Sequence, residues 1–214
     1  ELMDHGWSMK HVHRLMVSSA TYRMRSSTVG AETQSVRDPD NRHWWRREPL
    51  RLESQAVRDT VLTLSGTLDV SMGGPPVPTD QQASSSRRSL YFFHSNNERN
   101  LFLTMFDEAR VTDCYRREQS VVPQQALALT NSKLILDAAP KIAAELMSGE
   151  TLSDETFVRK AFQRLLGYTP SAEEVSKSCQ ALTEWRSLPE TTVEAACGHF
   201  VWALINHNDF VTLR

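Results

Sequence analysis

Three kinds of residue in this 214-residue chain could do chemistry: histidines near one end, cysteines in the second half, and scattered carboxylates and arginines. His11 and His13 lie two apart in a helical pattern, which turns them about 200° away from each other, so they do not share a metal ion. His5 reaches His13 only through a turn of unknown form. No cysteine or carboxylate shows ligand spacing with these histidines, and no metal site is expected. Asp38-Pro39-Asp40-Asn41 begins like a calcium loop but lacks the glycine and the closing glutamate.

Nucleophilic catalysis needs a hydroxyl or thiol held beside a base, often on a strained turn. The chain has no Gly-x-Ser-x-Gly and no Cys-x-x-Cys-His. Cys114 stands near Arg116 and Arg117, whose charge would lower a thiol pKa, but a lone cysteine is commonly a small buried hydrophobe. Gly73-Gly74 lacks the rest of a phosphate loop and reads as a turn. Asp59 and Asp107 are the carboxylate pair to test for polymer hydrolysis. Cys179 and Cys197 are each nine residues from Leu188. In an antiparallel helical hairpin they should lie at one level, which makes them a candidate disulfide.

Arg outnumbers Lys by 19 to 5, and 15 of the Arg fall in residues 1–117. A planar guanidinium suits carboxylates, phosphates and clustered carbonyls. Arg42, Trp44, Trp45, Arg46 and Arg47 form a candidate ligand face for sugars or anions. The competing arrangement folds both Trp against the helix at 51–65, with the Arg paired to Glu48, Glu53 or Asp59. A third reading places anionic ligands on the Arg-rich half, adding Arg87, Arg88, Arg116 and Arg117.

A net charge of −2 argues against a generic nucleic-acid binder, and 40% hydrophobic residues exclude a wholly disordered chain. No apolar run approaches the roughly 18 residues of a membrane span. Glu1-Leu2-Met3-Asp4 carries no signal-peptide pattern, so the chain reads as a piece of a longer polypeptide. Apolar spacing predicts helices over 7–24, 51–65 (stopped by Gly66) and 101–106. In the second half it predicts one from Pro123, one through 134–146 kinked at Pro140, one capped by Ser153 with a Leu152–Phe157 staple, one opened by Ser171, and one over 192–206. Ser89 to Phe93 is the strand candidate, and 66–87 a long loop. The expectation is a mostly α, single-domain fragment, loop-rich over 1–122 and built of helical hairpins over 123–214, with at most one short strand or hairpin near 88–93.

The motifs run in a fixed order. Trp7-Ser8-x-Lys10 comes first, with Leu15, Ser19 and Tyr22-Arg23. Asp38-Pro39-x-Asn41-Arg42 and Arg51-Leu52-Glu53 with Arg58-Asp59 follow, then Ser65-Gly66-x-Leu68 and Gly73-Gly74-Pro75. Next are Arg87-Arg88-Ser89-x-Tyr91, Phe106-Asp107, Cys114-x-Arg116-Arg117, Pro123-x-Gln125-Ala126-Leu127 with Asn131, and Leu204-x-Asn206-x-x-Asp209-Phe210. As a set they resemble the planctomycete-type domain-of-unknown-function family 1553, the PSD domain. Glu48-Pro49 and Asp209 depart from its usual pattern.

The resemblance implies a C-terminal module of large exported planctomycete or verrucomicrobial proteins, periplasmic or at the cell surface. Many such proteins also carry a cytochrome c-like domain, so haem belongs elsewhere in the parent and no cofactor is expected here. It carries over no reaction. Arg58, Asp59, Arg87, Arg88, Asp107, Arg117, Gln125 and Asn131 are expected to form a buried polar network. That network would hold the 66–87 loop and the 110–122 segment. The functional expectation is an accessory module binding other domains of its parent protein, the alternative being action on polysaccharide.

Overall fold

The computed structural model describes residues 1–113, 120, 122–148 and 153–213. Ten helices form among them: α1 (Met9–Ser18), α2 (Glu32–Arg37), α3 (Ser54–Leu64), α4 (Thr79–Gln82), α5 (Leu101–Met105), α6 (Pro123–Asn131), α7 (Lys133–Met147), α8 (Asp154–Leu165), α9 (Ala172–Arg186) and α10 (Val193–Ile205). The chain is mostly α, as its periodicity predicts. The named strands are β1 (Leu50–Arg51) and β2 (Thr212–Leu213), paired antiparallel with Leu50 opposite Leu213. The chain divides into two compact units, one of residues 1–51 with 212–214 and one of residues 52–211.

The second unit owns the apolar core. Val57 and Val61 of α3, Ile135 and Ile142 of α7, Val158 and Ala161 of α8, Leu182 of α9 and Val201 and Ile205 of α10 are almost wholly buried. α7 and α10 pack closely enough that a Cβ on Gly198 would lie 3.6 Å from the Pro140 backbone. α7 runs through Pro140 without ending. The second-half helix boundaries follow local chemistry. Ser171 and Glu174 form a reciprocal capping box, Ser153 Oγ accepts from the Thr156 amide, and Gly167 closes α8 at φ 76°. Leu152, the other half of the expected staple, lies outside the described residues. Glu174 sits below the usual carboxylate range because it accepts from the Ser171 amide.

Two expectations change. The first helix ends at Ser18 rather than 24, because the Ser19 hydroxyl donates to the Met16 carbonyl at 2.7 Å and accepts from the Tyr22 amide at 3.2 Å. Ser89–Tyr91 is a 3-10 turn instead of a strand. Within 89–93 Phe92 alone makes a bridge, to Val77, over a small second core of Val77, Phe92 and Leu103, and Arg87 just before it bridges Asp69.

The first unit is built differently. Neither α1 nor α2 buries a residue, and Asp38 and Asn41 are this unit's only buried side chains among the described residues.

Candidate functional site

In the second unit, Arg58 leaves α3 only 4% exposed. Its Nη1 donates to the Arg87 carbonyl at 2.9 Å and to Ser89 Oγ at 3.2 Å, its Nη2 donates to the Ser85 carbonyl, and its guanidinium lies 4.4 Å from the Phe92 ring centre. Burial lowers its pKa from the ordinary value while neighbouring Asp59 opposes the shift. Asp59 accepts from the Ser89 amide at 2.9 Å and the Ser89 hydroxyl at 2.7 Å, with Arg88 Nε at 3.8 Å. Arg87 donates to the Pro75 and Gly73 carbonyls and stacks 4.1 Å from the Tyr91 ring centre. Four of the expected polar residues therefore close one network around the 66–93 loop.

Asp107 and Gln125 make a separate one. Asp107, left-handed at φ 56°, accepts from the Ser120 amide and hydroxyl at 2.8 Å each. Gln125 Nε2 reaches the Ser120 carbonyl at 3.2 Å and Asp107 Oδ2 at 3.4 Å. Asn131 is exposed and donates to its own helix, at the Leu127 carbonyl. Arg88 is half exposed, and Arg117 lies outside the described residues. Where one network was expected, the described residues form two. Asp59 and Asp107 are both occupied as acceptors that hold loops.

Beside the first network opens a cleft of about 600 Å³, lined among others by Asp59, Arg88, His94 and Glu108. His94 Nδ1 stands 3.2 Å from Glu108 Oε1, the imidazole one-third and the carboxylate one-tenth exposed. An imidazole and a carboxylate so placed can pass a proton between cleft and protein. Thirteen residues lie between them, and no sequence motif joins them.

In the first unit, the Asp38 carboxylate accepts the amides of Arg42 (2.9 Å) and His43 (2.7 Å), which hold its pKa below the usual range. Its carbonyl accepts from Trp45 Nε1 at 2.8 Å, and Asn41 exchanges hydrogen bonds with the Arg46 backbone. This arrangement turns the cluster outward. Trp44 is 71% exposed, at φ 55°. The alternative in which both Trp are buried is therefore not what forms. Arg42 pairs with Asp40 at 3.2 Å, and Arg47 lies 4.5 Å from the Tyr22 ring centre. Tyr22, Arg42, Trp44, Arg46 and Arg47 line a pocket of about 680 Å³ with Met16.

A profile of the family described as PSD1, a protein of unknown function (DUF1553), matches residues 1–182. The chain belongs to the PSD1 family. No curated protein and no solved structure matches it. The match takes in the Arg58–Asp59 network, the Asp107–Gln125 network, the His94–Glu108 cleft and the pocket around Trp44.

Two further features of this PSD1 chain concern metal-binding residue types. Cys179 and Cys197 are free thiols, not a disulfide. Burial raises both pKa values; Asp154 and Glu155 add to the rise at Cys179, and Arg186 opposes it at Cys197. Cys114 lies outside the described residues. Glu1, His5 and His11 converge, with ligand atoms within 4.8 Å of one another, the one such group of three among the described residues. His5 falls beside His11 rather than His13, a pairing that no spacing signals because the connecting turn decides it.

Proposed function

We propose that this chain is an accessory interaction module that docks onto other domains of a larger exported protein through its first unit. One observation carries the reading. α1 is amphipathic, yet Met9 (56%), Leu15 (46%) and Met16 (58%) are exposed, in a unit that buries no apolar side chain among the described residues. An apolar helix face gains stability only when something covers it. The family resemblance supplies the occupant, neighbouring domains of the same polypeptide, in the periplasm or at the cell surface, a cytochrome c-like domain among them. The test is titration of the chain with the remainder of its parent protein. Leu15→Glu with Met16→Glu should abolish binding while leaving helicity unchanged, and equal binding by wild type and variant refutes the reading.

A second reading, polysaccharide binding, draws on Trp44. An exposed indole beside three arginines offers a sugar-stacking face and partners for uronate or sulfate groups. The left-handed φ of Trp44 is the kind of backbone cost that collects at binding sites. Polygalacturonate should quench tryptophan fluorescence in wild type and fail to do so in Trp44→Ala, while a neutral glucan should bind weakly or not at all. Quenching retained in the variant counts against this reading.

A further inference from the structure

We propose that Glu1, His5 and His11 form a binding site for a late first-row divalent cation of the Zn²⁺ type. The backbone prepares it. Residues 1–5 make one helical turn, in which the His5 amide donates to the Glu1 carbonyl at 3.1 Å. Gly6 closes that turn at φ 61°, with its amide on Met3 and the Trp7 amide on Leu2 at 2.8 Å, the bonding pattern of a Schellman cap. Trp7 is left-handed as well, at φ 61°, a conformation that costs a bulky residue energy. Ser8 then caps α1, its hydroxyl accepting from the His11 amide. The two consecutive left-handed residues fold the first turn back onto the start of α1. His5 is thereby stacked on His11 with ring centres 3.7 Å apart and planes 10° apart. Lone pairs of parallel rings point the same way, so binding an ion requires one exposed ring to turn about its Cβ–Cγ bond until both lone pairs meet.

Both rings address one oxygen. His5 Nδ1 is 3.2 Å and His11 Nε2 is 3.1 Å from Glu1 Oε2, and His5 Nδ1 is also 3.0 Å from the Glu1 carbonyl oxygen. Ligand bonds of about 2.0–2.1 Å at tetrahedral angles put neighbouring donor atoms about 3.3 Å apart, so these separations match two edges of a zinc site. Without an ion, His11 holds an N–H toward that oxygen, and His5 shares its Nδ1–H between it and the Glu1 carbonyl. With an ion, each neutral ring moves its proton to its other nitrogen and offers the lone pair instead. Two imidazoles with one carboxylate select Zn²⁺, Cu²⁺ or Ni²⁺ over Ca²⁺ and Mg²⁺, which prefer all-oxygen shells. Three protein ligands leave a coordination position open to water or to an anionic group of a partner, the pattern of reactive rather than purely structural zinc sites. Glu1 and His5 are exposed and His11 is one-third exposed, so an ion has direct access. His13 shares the helix but belongs to no such cluster, which makes it the internal control.

The test is Zn²⁺ titration of the full chain, free of any affinity tag, by calorimetry, followed by Co²⁺ substitution read from its visible bands. Wild type should bind one Zn²⁺ per chain and give the intense bands of low-coordinate Co²⁺. His5→Ala, His11→Ala and Glu1→Gln should each weaken binding by roughly tenfold or more, while His13→Ala binds like wild type. Circular dichroism should be unchanged throughout, since these side chains are not part of the core. Absence of saturable binding at micromolar Zn²⁺ overturns the proposal, and so does undiminished affinity in the His5 and His11 variants.

Discussion

The two units use the same residue types in opposite ways. In residues 52–211, Arg58 is buried and spends its donors on loop carbonyls, beside a core of aliphatic helices. In residues 1–51, Arg42, Arg46 and Arg47 edge an open pocket, and the fold is pinned by Asp38 and Asn41 instead of by apolar burial. Arginine count alone says nothing about function. What decides is whether carbonyls or solvent meet the guanidinium. The second unit is stabilised from within, whereas the first is held in shape by a few polar contacts and keeps its apolar side chains available.

The largest effects should separate the units by stability. Arg58→Ala strands the Ser85 and Arg87 carbonyls and should cost about 3–5 kcal/mol in urea unfolding. Arg58→Lys keeps the charge but loses the fork and should still cost roughly 2 kcal/mol. Ile142→Ala, in the same unit, should cost about 2–5 kcal/mol. Leu15→Ala in the first unit should stay within about 0.5 kcal/mol. A cost at Leu15 comparable to that at Ile142 breaks the comparison.

Smaller effects sharpen it. Arg186 holds Asp154 through two hydrogen bonds of 2.7 and 2.8 Å, tying α9 to the start of α8. Both groups are about one-third exposed, so solvent screening limits Asp154→Asn to roughly 0.5–1 kcal/mol by thermal melting. Gly198→Ala places its Cβ at ordinary contact distance from Pro140 and removes a helix-interior glycine. It should raise stability by up to about 1 kcal/mol, whereas Gly198→Val should lower it.

The smallest effect lies in the first unit and depends on pH. Asp38 is held below its unfolded value, so its contribution is full above the ordinary carboxylate range and disappears as pH falls through the folded pKa, below about 4. Tryptophan fluorescence should change in that window, because Trp45 donates to the Asp38 carbonyl. Asp38→Asn should remove that acid-dependent step.

Features set within four residues were legible in the sequence. The Ser153 and Ser171 caps, the stops at Gly66 and Gly167, and Pro123 at the start of α6 all depend on neighbours along the chain. The strand expected over 89–93 rested on aromatic propensity, and Asp59 overrode it by drawing the Ser89 amide and hydroxyl into a turn. Arg58, Asp59, Asp107 and Gln125 could be named, but their division into two networks depends on which loop returns to which helix. His94 with Glu108, and His5 with His11, were hidden for a related reason. The pairings depend on the irregular backbone on either side of α5 and on the turn at Gly6-Trp7, whose courses no periodicity encodes.

The pairing of β1 with β2 has a mechanical consequence. Leu50 faces Leu213, Arg51 faces Thr212, and the Leu52 amide donates to the Val211 carbonyl at 2.9 Å. The two ends of the second unit, Leu52 and Val211, are therefore hydrogen-bonded neighbours. Tension applied between Leu50 and Leu213 loads the β1–β2 rungs in sequence, outermost first, in unzipping geometry rather than in shear. Closed termini of this kind are also what circular permutation requires, since a short linker could join Leu52 to Val211 with little strain.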